Sequence, residues 1–143
     1  MEDTGCGCAV PDACVFSKAL LAQQARCHKS QRRALGEREL IVCTSGPARL
    51  NCGTVAALLH ERARFALRLP PAGRPVEHAK ALRLQCGGLA GLRHVLGDAG
   101  PDDVHGLVQA AQARWRSLPE VPWGAIVPSV VEWAPRRRRA PAR

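Results

Sequence analysis

The sequence is poor in aromatic residues, methionine and lysine. Its 143 residues include no Tyr, two Phe, three Trp and one Met, and only three of its 21 basic residues are Lys. So few aromatic side chains provide no stacking platform of the kind that single-strand nucleic-acid binders use. The spacings of helix-turn-helix, homeodomain and zinc-finger modules are also absent. Nucleic-acid binding therefore has charge in its favour but no motif.

Long apolar runs and export signals are absent as well. No stretch approaches 18 apolar residues, so the sequence predicts no membrane span. Residues 1–14 are acidic and contain neither the basic start nor the apolar core of a signal peptide. We therefore expect a cytoplasmic protein. In that compartment a disulfide framework is not expected, and the odd number of cysteines, seven, also argues against one.

The apolar pattern predicts an all-α fold, a small irregular bundle of four or five helices with a Cys-rich, loop-containing N-terminal half. The only β-like run, residues 40–42, is too short to predict a sheet. Gly87, Gly88 and Gly91 would let a neighbouring helix approach closely. The helices are expected at about 13–30 with Asp12 as cap, at 54–69, at 76–96, from Asp102 and Asp103 to 118, and after Pro122.

The formal net charge of +9 is unevenly spread. Residues 15–68 contain ten Lys or Arg against three Glu, whereas residues 69–134 contain six residues of each sign. We therefore expect one domain, 1–134, with a Cys-rich basic half at 1–69 and a helical scaffold half at 76–134. A flexible Arg-rich tail, 135–143, follows it.

The cysteines are the one concrete functional lead. Four of them follow the spacing Cys14-x12-Cys27-x15-Cys43-x8-Cys52, with no CxxC pair of the kind that marks a zinc ribbon. Broad spacing suits an iron–sulfur cluster held between separate elements. The sequence therefore predicts that these four cysteines ligate a [4Fe-4S] cluster, in a protein that transfers electrons or assists a redox partner.

Charge supports the same interpretation. A cluster with four thiolate ligands is anionic, and the positive first half would offset it, with Arg26, Arg38 and Arg49 as the expected contributors. Cys52 is expected just before a helix start, where the helix dipole favours a thiolate. An acidic protein is the expected docking partner of this basic half.

One distance leaves the ligand set open. If a straight helix joined Cys14 to Cys27, about 20 Å would separate them. Either that helix is broken or shorter, or another residue replaces one of the two. Cys86 falls in the apolar stripe of its predicted helix, which is typical of a core residue. The replacements that the sequence offers are Cys6, Cys8, Cys86, His28 and His60.

Two alternatives remain beside the cluster. The first is a zinc-stabilised interaction module without a redox role. The second is a metal-free basic adaptor that binds nucleic acid or an acidic protein. No Ser/His/Asp arrangement, paired carboxylates or phosphate loop predicts an enzymatic reaction.

Overall fold

A computed structural model describes residues 11–97 and 103–135. Five α-helices and one two-stranded sheet lie within these residues. In chain order they are α1 (Ser17–Leu21), β1 (Ser30–Leu35), β2 (Arg38–Cys43), α2 (Gly46–Leu67), α3 (His78–Leu96), α4 (Val104–Trp115) and α5 (Trp123–Glu132), with a short 3-10 turn, Leu118–Glu120, before α5. Cys6, Cys8, Asp102 and residues 136–143 of the predicted tail lie outside the described residues.

The all-α prediction is wrong, because residues 30–43 form an antiparallel hairpin. Pairing runs from Ser30 opposite Cys43 to Leu35 opposite Arg38, and Gly36 in the turn has a φ of +63°, which glycine adopts without strain. The sequence of β1, SQRRAL, is largely exposed. It therefore lacks the alternation of apolar and polar residues by which a half-buried strand is recognised.

The predicted helix over 13–30 is also wrong, because its first residues pair with β2 instead. The Cys14 N–H donates to the Ile41 carbonyl at 2.9 Å, and the Cys43 N–H donates to the Asp12 carbonyl at 2.7 Å. Backbone groups used in this way are not free to bond within a helix. Only the five residues of α1 are helical, and the chain then reverses at Gln23, which has a φ of 59°.

Helix α2 begins eight residues earlier than predicted. Ser45 caps it by accepting a hydrogen bond from the Ala48 N–H at 3.2 Å, and Pro47 lies in its first turn, where a missing N–H costs no helical hydrogen bond. The Gly-Pro pair that looked like a loop is therefore a helix start. Cys52 consequently lies in the second turn of α2, as its seventh residue.

The glycines of α3 bring three helices together, as expected. A Cβ built on Gly87 would lie 2.6 Å from the Val130 Cα of α5, and one on Gly88 would lie 2.6 Å from the Leu59 Cδ1 of α2. Only glycine permits approaches this close. Helix α3 therefore packs directly on α5 and α2.

One hydrophobic cluster contains side chains from both predicted halves of the chain. Phe16 and Leu59 from the first half and Leu92 and Ile126 from the second are all fully buried in it. Cys86 belongs to the same cluster at 4% exposure, which confirms its prediction as a core residue. Within residues 11–97 and 103–135, no helix combines the length and apolar character needed to cross a membrane.

Candidate metal centre

The structure brings Cys14, Cys27, Cys43 and Cys52 together. All four line one small cavity of about 20 Å³, hereafter the four-cysteine cavity. Each comes from a different segment: the stretch paired with β2, the loop before β1, the end of β2, and α2. All four are free thiols. Their position is therefore the one that the spacing suggested, while their role as ligands stays a prediction.

The hairpin explains how three of these cysteines meet. Cys43 faces Ser30 in the strand register, and the Ser30 hydroxyl donates to the Cys27 carbonyl at 2.6 Å. On its other side, the Cys43 N–H bonds to Asp12, two residues before Cys14. The separation of about 20 Å expected for a straight helix does not arise, because α1 ends at Leu21.

Cys52 completes the group from α2. Its side chain is buried at 9% exposure, and burial, followed by the charges of the other three cysteines and of Asp103, raises its pKa to about 12. The expectation of a thiolate favoured by a helix start is wrong, because α2 begins six residues earlier. Without a bound cation, the thiol form of Cys52 is therefore strongly preferred.

Opposing effects act on the pKa of the Cys14 thiol. Burial is the largest influence and raises the pKa of its thiol, and the neighbouring Cys27 and Cys43 act in the same direction. A hydrogen bond from the Phe16 backbone N–H lowers it, because that bond favours a charged sulfur. Such N–H to sulfur bonds are among the features that tune metal–thiolate centres.

Asp103 anchors the loop that carries Cys27. One of its carboxylate oxygens accepts from the Gly106 N–H at 2.9 Å, which caps α4. The same carboxylate accepts from the backbone N–H of His28 and lies 2.7 Å from the Nδ1 of its ring. Burial would raise the pKa of Asp103, but these hydrogen bonds and the nearby His28 lower it. Helix α4 thereby holds the residue next to Cys27.

A second bond supports the same loop from its other side. The Val104 N–H at the start of α4 donates to the Arg26 carbonyl at 2.9 Å, so the residues on both sides of Cys27 are tied to α4. Val104 and His105 also line the four-cysteine cavity. The sequence predicted that Asp102 and Asp103 open this helix, but nothing in it signalled the contact between Asp103 and His28, 75 positions away.

The other predicted site residues, arginines and histidines, differ in whether they line the four-cysteine cavity. Arg49 lines the four-cysteine cavity, whereas Arg38 lies at the far end of β2 from Cys43, about 17 Å away along the strand. His28 bonds to Asp103 rather than lining the cavity. His60 lines a separate pocket beside Phe16 and Val76. Of the three arginines predicted to compensate charge, Arg49 lines the four-cysteine cavity, whereas Arg26 lines a neighbouring pocket.

The cysteines are not arranged around a single point. Among residues 11–97 and 103–135, no group of three or more His, Cys, Asp or Glu side chains could hold one metal ion. A tetrahedral zinc site with bonds of 2.3 Å requires sulfurs about 3.8 Å apart. The four thiols therefore share a cavity without the tight tetrahedron of a closed zinc site.

Comparison with protein-family models, with curated proteins and with solved structures finds no match to the chain. The geometry of the four-cysteine cavity therefore carries the functional argument alone.

Proposed function

We propose that the four-cysteine cavity binds an iron–sulfur cluster of the [4Fe-4S] type and that the protein transfers electrons or assists a redox partner. The observation that carries this proposal is the meeting of four free thiols, from four separate segments, at one cavity. Four cysteine thiolates are the usual ligand set of such a cluster, which supplies a one-electron carrier when bound.

Ionisation of all four cysteines requires a bound cation. Three of the cysteines raise the pKa of Cys52 through their charge, so four thiolates at this position repel one another. A positively charged metal centre reverses the balance, because it binds the deprotonated form.

A cluster and a single ion require different separations between their cysteine sulfurs. In a cluster each thiolate binds a different iron atom, so the four sulfurs stand farther apart than those around one zinc ion. This agrees with the lack, among the described residues, of three ligands placed for one ion. A cluster requires the side chains of Cys14, Cys27 and Cys43, which are only partly buried and lie outside helices, to move outward from a cavity of about 20 Å³.

A single zinc ion is the second candidate, and the size of the cavity is the observation that favours it. A volume of about 20 Å³ corresponds to one or two water molecules. A zinc ion would fit after the thiols move inward, and the protein would then be a zinc-stabilised module. The two candidates therefore predict opposite side-chain movements and different metal contents.

The proposal includes an acidic redox partner and a cytoplasmic location. Residues 15–68 have ten basic residues against three acidic ones, and complementary charge speeds the encounter of redox proteins. Free thiols persist in reducing compartments.

Metal and sulfide analysis of anaerobically prepared protein tests the proposal. We expect about four iron and four sulfide per chain, with broad absorption near 400 nm. Serine substitution of Cys14, Cys27, Cys43 or Cys52 should remove most of both, whereas Cys86→Ser, the control in the core, should retain them. One zinc in a colourless protein would establish the second candidate. Full metal content in all four variants would refute both.

A further inference from the structure

One aromatic side chain, that of Phe65 near the end of α2, projects almost entirely into solvent. Phe65 is 90% exposed, whereas the other Phe and all three Trp residues are buried or half-buried. The residues of α2 that enter the core, among them Leu59 and Ala63, lie on a different face of the helix. The low aromatic content predicts no stacking platform, but the structure presents one ring to solvent.

Arginines surround this ring. Arg62 lies three residues before Phe65 on the same face of α2, where Cβ atoms are about 5–6 Å apart. Arg64 directly precedes Phe65, and Arg68 is the C-cap residue that ends the helix. All three are exposed. Within residues 11–97 and 103–135, no carboxylate pairs with any of these three guanidinium groups, so they are available to an anionic ligand.

Helix α3 adds a fourth cation to this surface. The Lys80 ammonium donates to the Arg68 carbonyl at 3.3 Å, which places it beside the end of α2, and a neutral carbonyl does not cancel its charge. The carboxylates nearest in sequence are Glu61 and Glu77, so cations are in excess. The Phe65 surface, as we call it, consists of Arg62, Arg64, Phe65, Arg68 and Lys80.

We propose that the Phe65 surface binds single-stranded nucleic acid, with one base stacked on the Phe65 ring and neighbouring phosphates bound by the basic side chains. Each nucleotide of a single strand carries a π face and a phosphate, which matches an exposed ring surrounded by cations. Arginine guanidinium groups bind phosphate oxygens through paired hydrogen bonds. Because every base has a π face, this binding does not select a sequence.

Other anionic partners fit the Phe65 surface less well. A helix that binds a membrane surface needs a broad apolar face, whereas the residues on either side of Phe65 are charged. An acidic peptide would pair with the arginines, but its carboxylates would leave the ring uncovered. The exposed ring among cations therefore favours a polyanion that carries aromatic groups.

The Phe65 surface is separate from the four-cysteine cavity. Thirteen residues of α2 lead from Cys52 to Phe65, a distance of about 20 Å along the helix. None of the five residues of the Phe65 surface lines that cavity. Nucleic-acid binding therefore does not rest on the proposed cluster, and it can be measured on metal-free protein.

Fluorescence anisotropy with a labelled oligothymidylate of twelve nucleotides tests the stacking contact. We expect Phe65→Ala to bind it about tenfold more weakly, because a base loses its aromatic partner, and Phe65→Trp to bind at least as tightly as the wild type. The matched control is Leu50→Ala. Leu50 is a 72% exposed apolar residue of the same helix, about 22 Å from Phe65 along the axis, so its replacement should leave affinity unchanged.

Salt dependence tests the phosphate contacts. Arg62→Ala/Arg68→Ala should reduce the slope of log affinity against log salt by about 1.4, since each phosphate contact with a single strand contributes about 0.7. The control Arg38→Ala/Arg116→Ala removes the same charge from exposed positions in the hairpin and after α4, and it should leave most of the slope. Arg136 to Arg139 are retained in every protein, so they contribute equally throughout.

Three results would overturn the proposal. The first is equal oligonucleotide affinity in Phe65→Ala and Leu50→Ala, and the second is an equal salt slope in the two double variants. The third is binding to vesicles that contain phosphatidylserine without binding to the oligonucleotide, which would assign the surface to a membrane. Polyglutamate should bind without dependence on Phe65, and circular dichroism checks that each variant is folded.

Discussion

Replacement of Asp103 by Ala should destabilise the protein more than the loss of an ordinary helix cap. The substitution removes the cap bond to the Gly106 N–H at 2.9 Å. It also removes both bonds to His28, one to its backbone and one to its ring. The first loss affects α4 alone, whereas the other two release the loop that carries Cys27.

The expected loss is about 2–3 kcal/mol in the free energy of unfolding. A helix cap contributes about 1 kcal/mol, and the hydrogen bond from the His28 backbone about another 1 kcal/mol. The ring interaction adds at most about 1 kcal/mol, because the His28 side chain is 59% exposed. For a chain of this length the melting temperature should fall by about 6–12 °C.

Urea unfolding of metal-free protein measures this loss, and Ser45→Ala is its control. Within the described residues, the Ser45 side chain makes one hydrogen bond, which it accepts from the Ala48 N–H to cap α2, so its replacement should cost about 1 kcal/mol. If the two variants lose the same stability, the contacts between Asp103 and His28 contribute nothing and the proposed anchoring of Cys27 is refuted.

Three further predictions concern pH, reactivity and packing. The Asp103 pKa is lowered in the folded protein, so its stabilisation is present above the ordinary pKa of 3.8 and is lost as pH falls through the folded value. In acid titration, Asp103→Asn should not show this part of the loss of stability. An acid-unfolding profile identical to that of the wild type would contradict the prediction. In metal-free protein near pH 8, Cys52, with a pKa of about 12, should react with iodoacetamide about a thousandfold more slowly than an ordinary thiol. Mass spectrometry of peptides measures the rate, and rapid labelling would show that its burial is wrong. Gly88→Ala should cost about 1–3 kcal/mol because its Cβ would meet Leu59 at 2.6 Å. Gly53→Ala, with open space around its Cβ, should stabilise α2 by about 0.5–1 kcal/mol, and equal effects in thermal unfolding would refute this close packing.

Local sequence signals predicted the helical part of the fold well where apolar spacing and caps agreed. Helix α4 begins directly after Asp103, one of the two aspartates predicted to open it, and the glycines of α3 make the close approaches that their lack of a side chain allows. The hairpin could not be predicted in this way. Strand β1 is exposed and polar, and β2 is held partly by Asp12 and Cys14, contacts that depend on the tertiary structure.

Cysteine spacing was more informative about the candidate site than secondary-structure patterns were. It selected the four cysteines among the residues that line the cavity, although the predicted helix over 13–30 argued against that grouping. The residues that hold the Cys27 loop in place, His28 and Asp103, could not be found from the sequence. Nothing local in His28 or Asp103 shows that α4 would return to the loop before β1.

The ratio of iron and sulfide to protein in anaerobically reconstituted Cys27→Ser, beside wild type and Cys86→Ser, tests whether the four cysteines hold an iron–sulfur cluster. We expect about four iron and four sulfide per chain in the wild type and in Cys86→Ser, and a loss of most of both in Cys27→Ser. Iron and sulfide retained in full by Cys27→Ser, or missing from all three proteins, would contradict it.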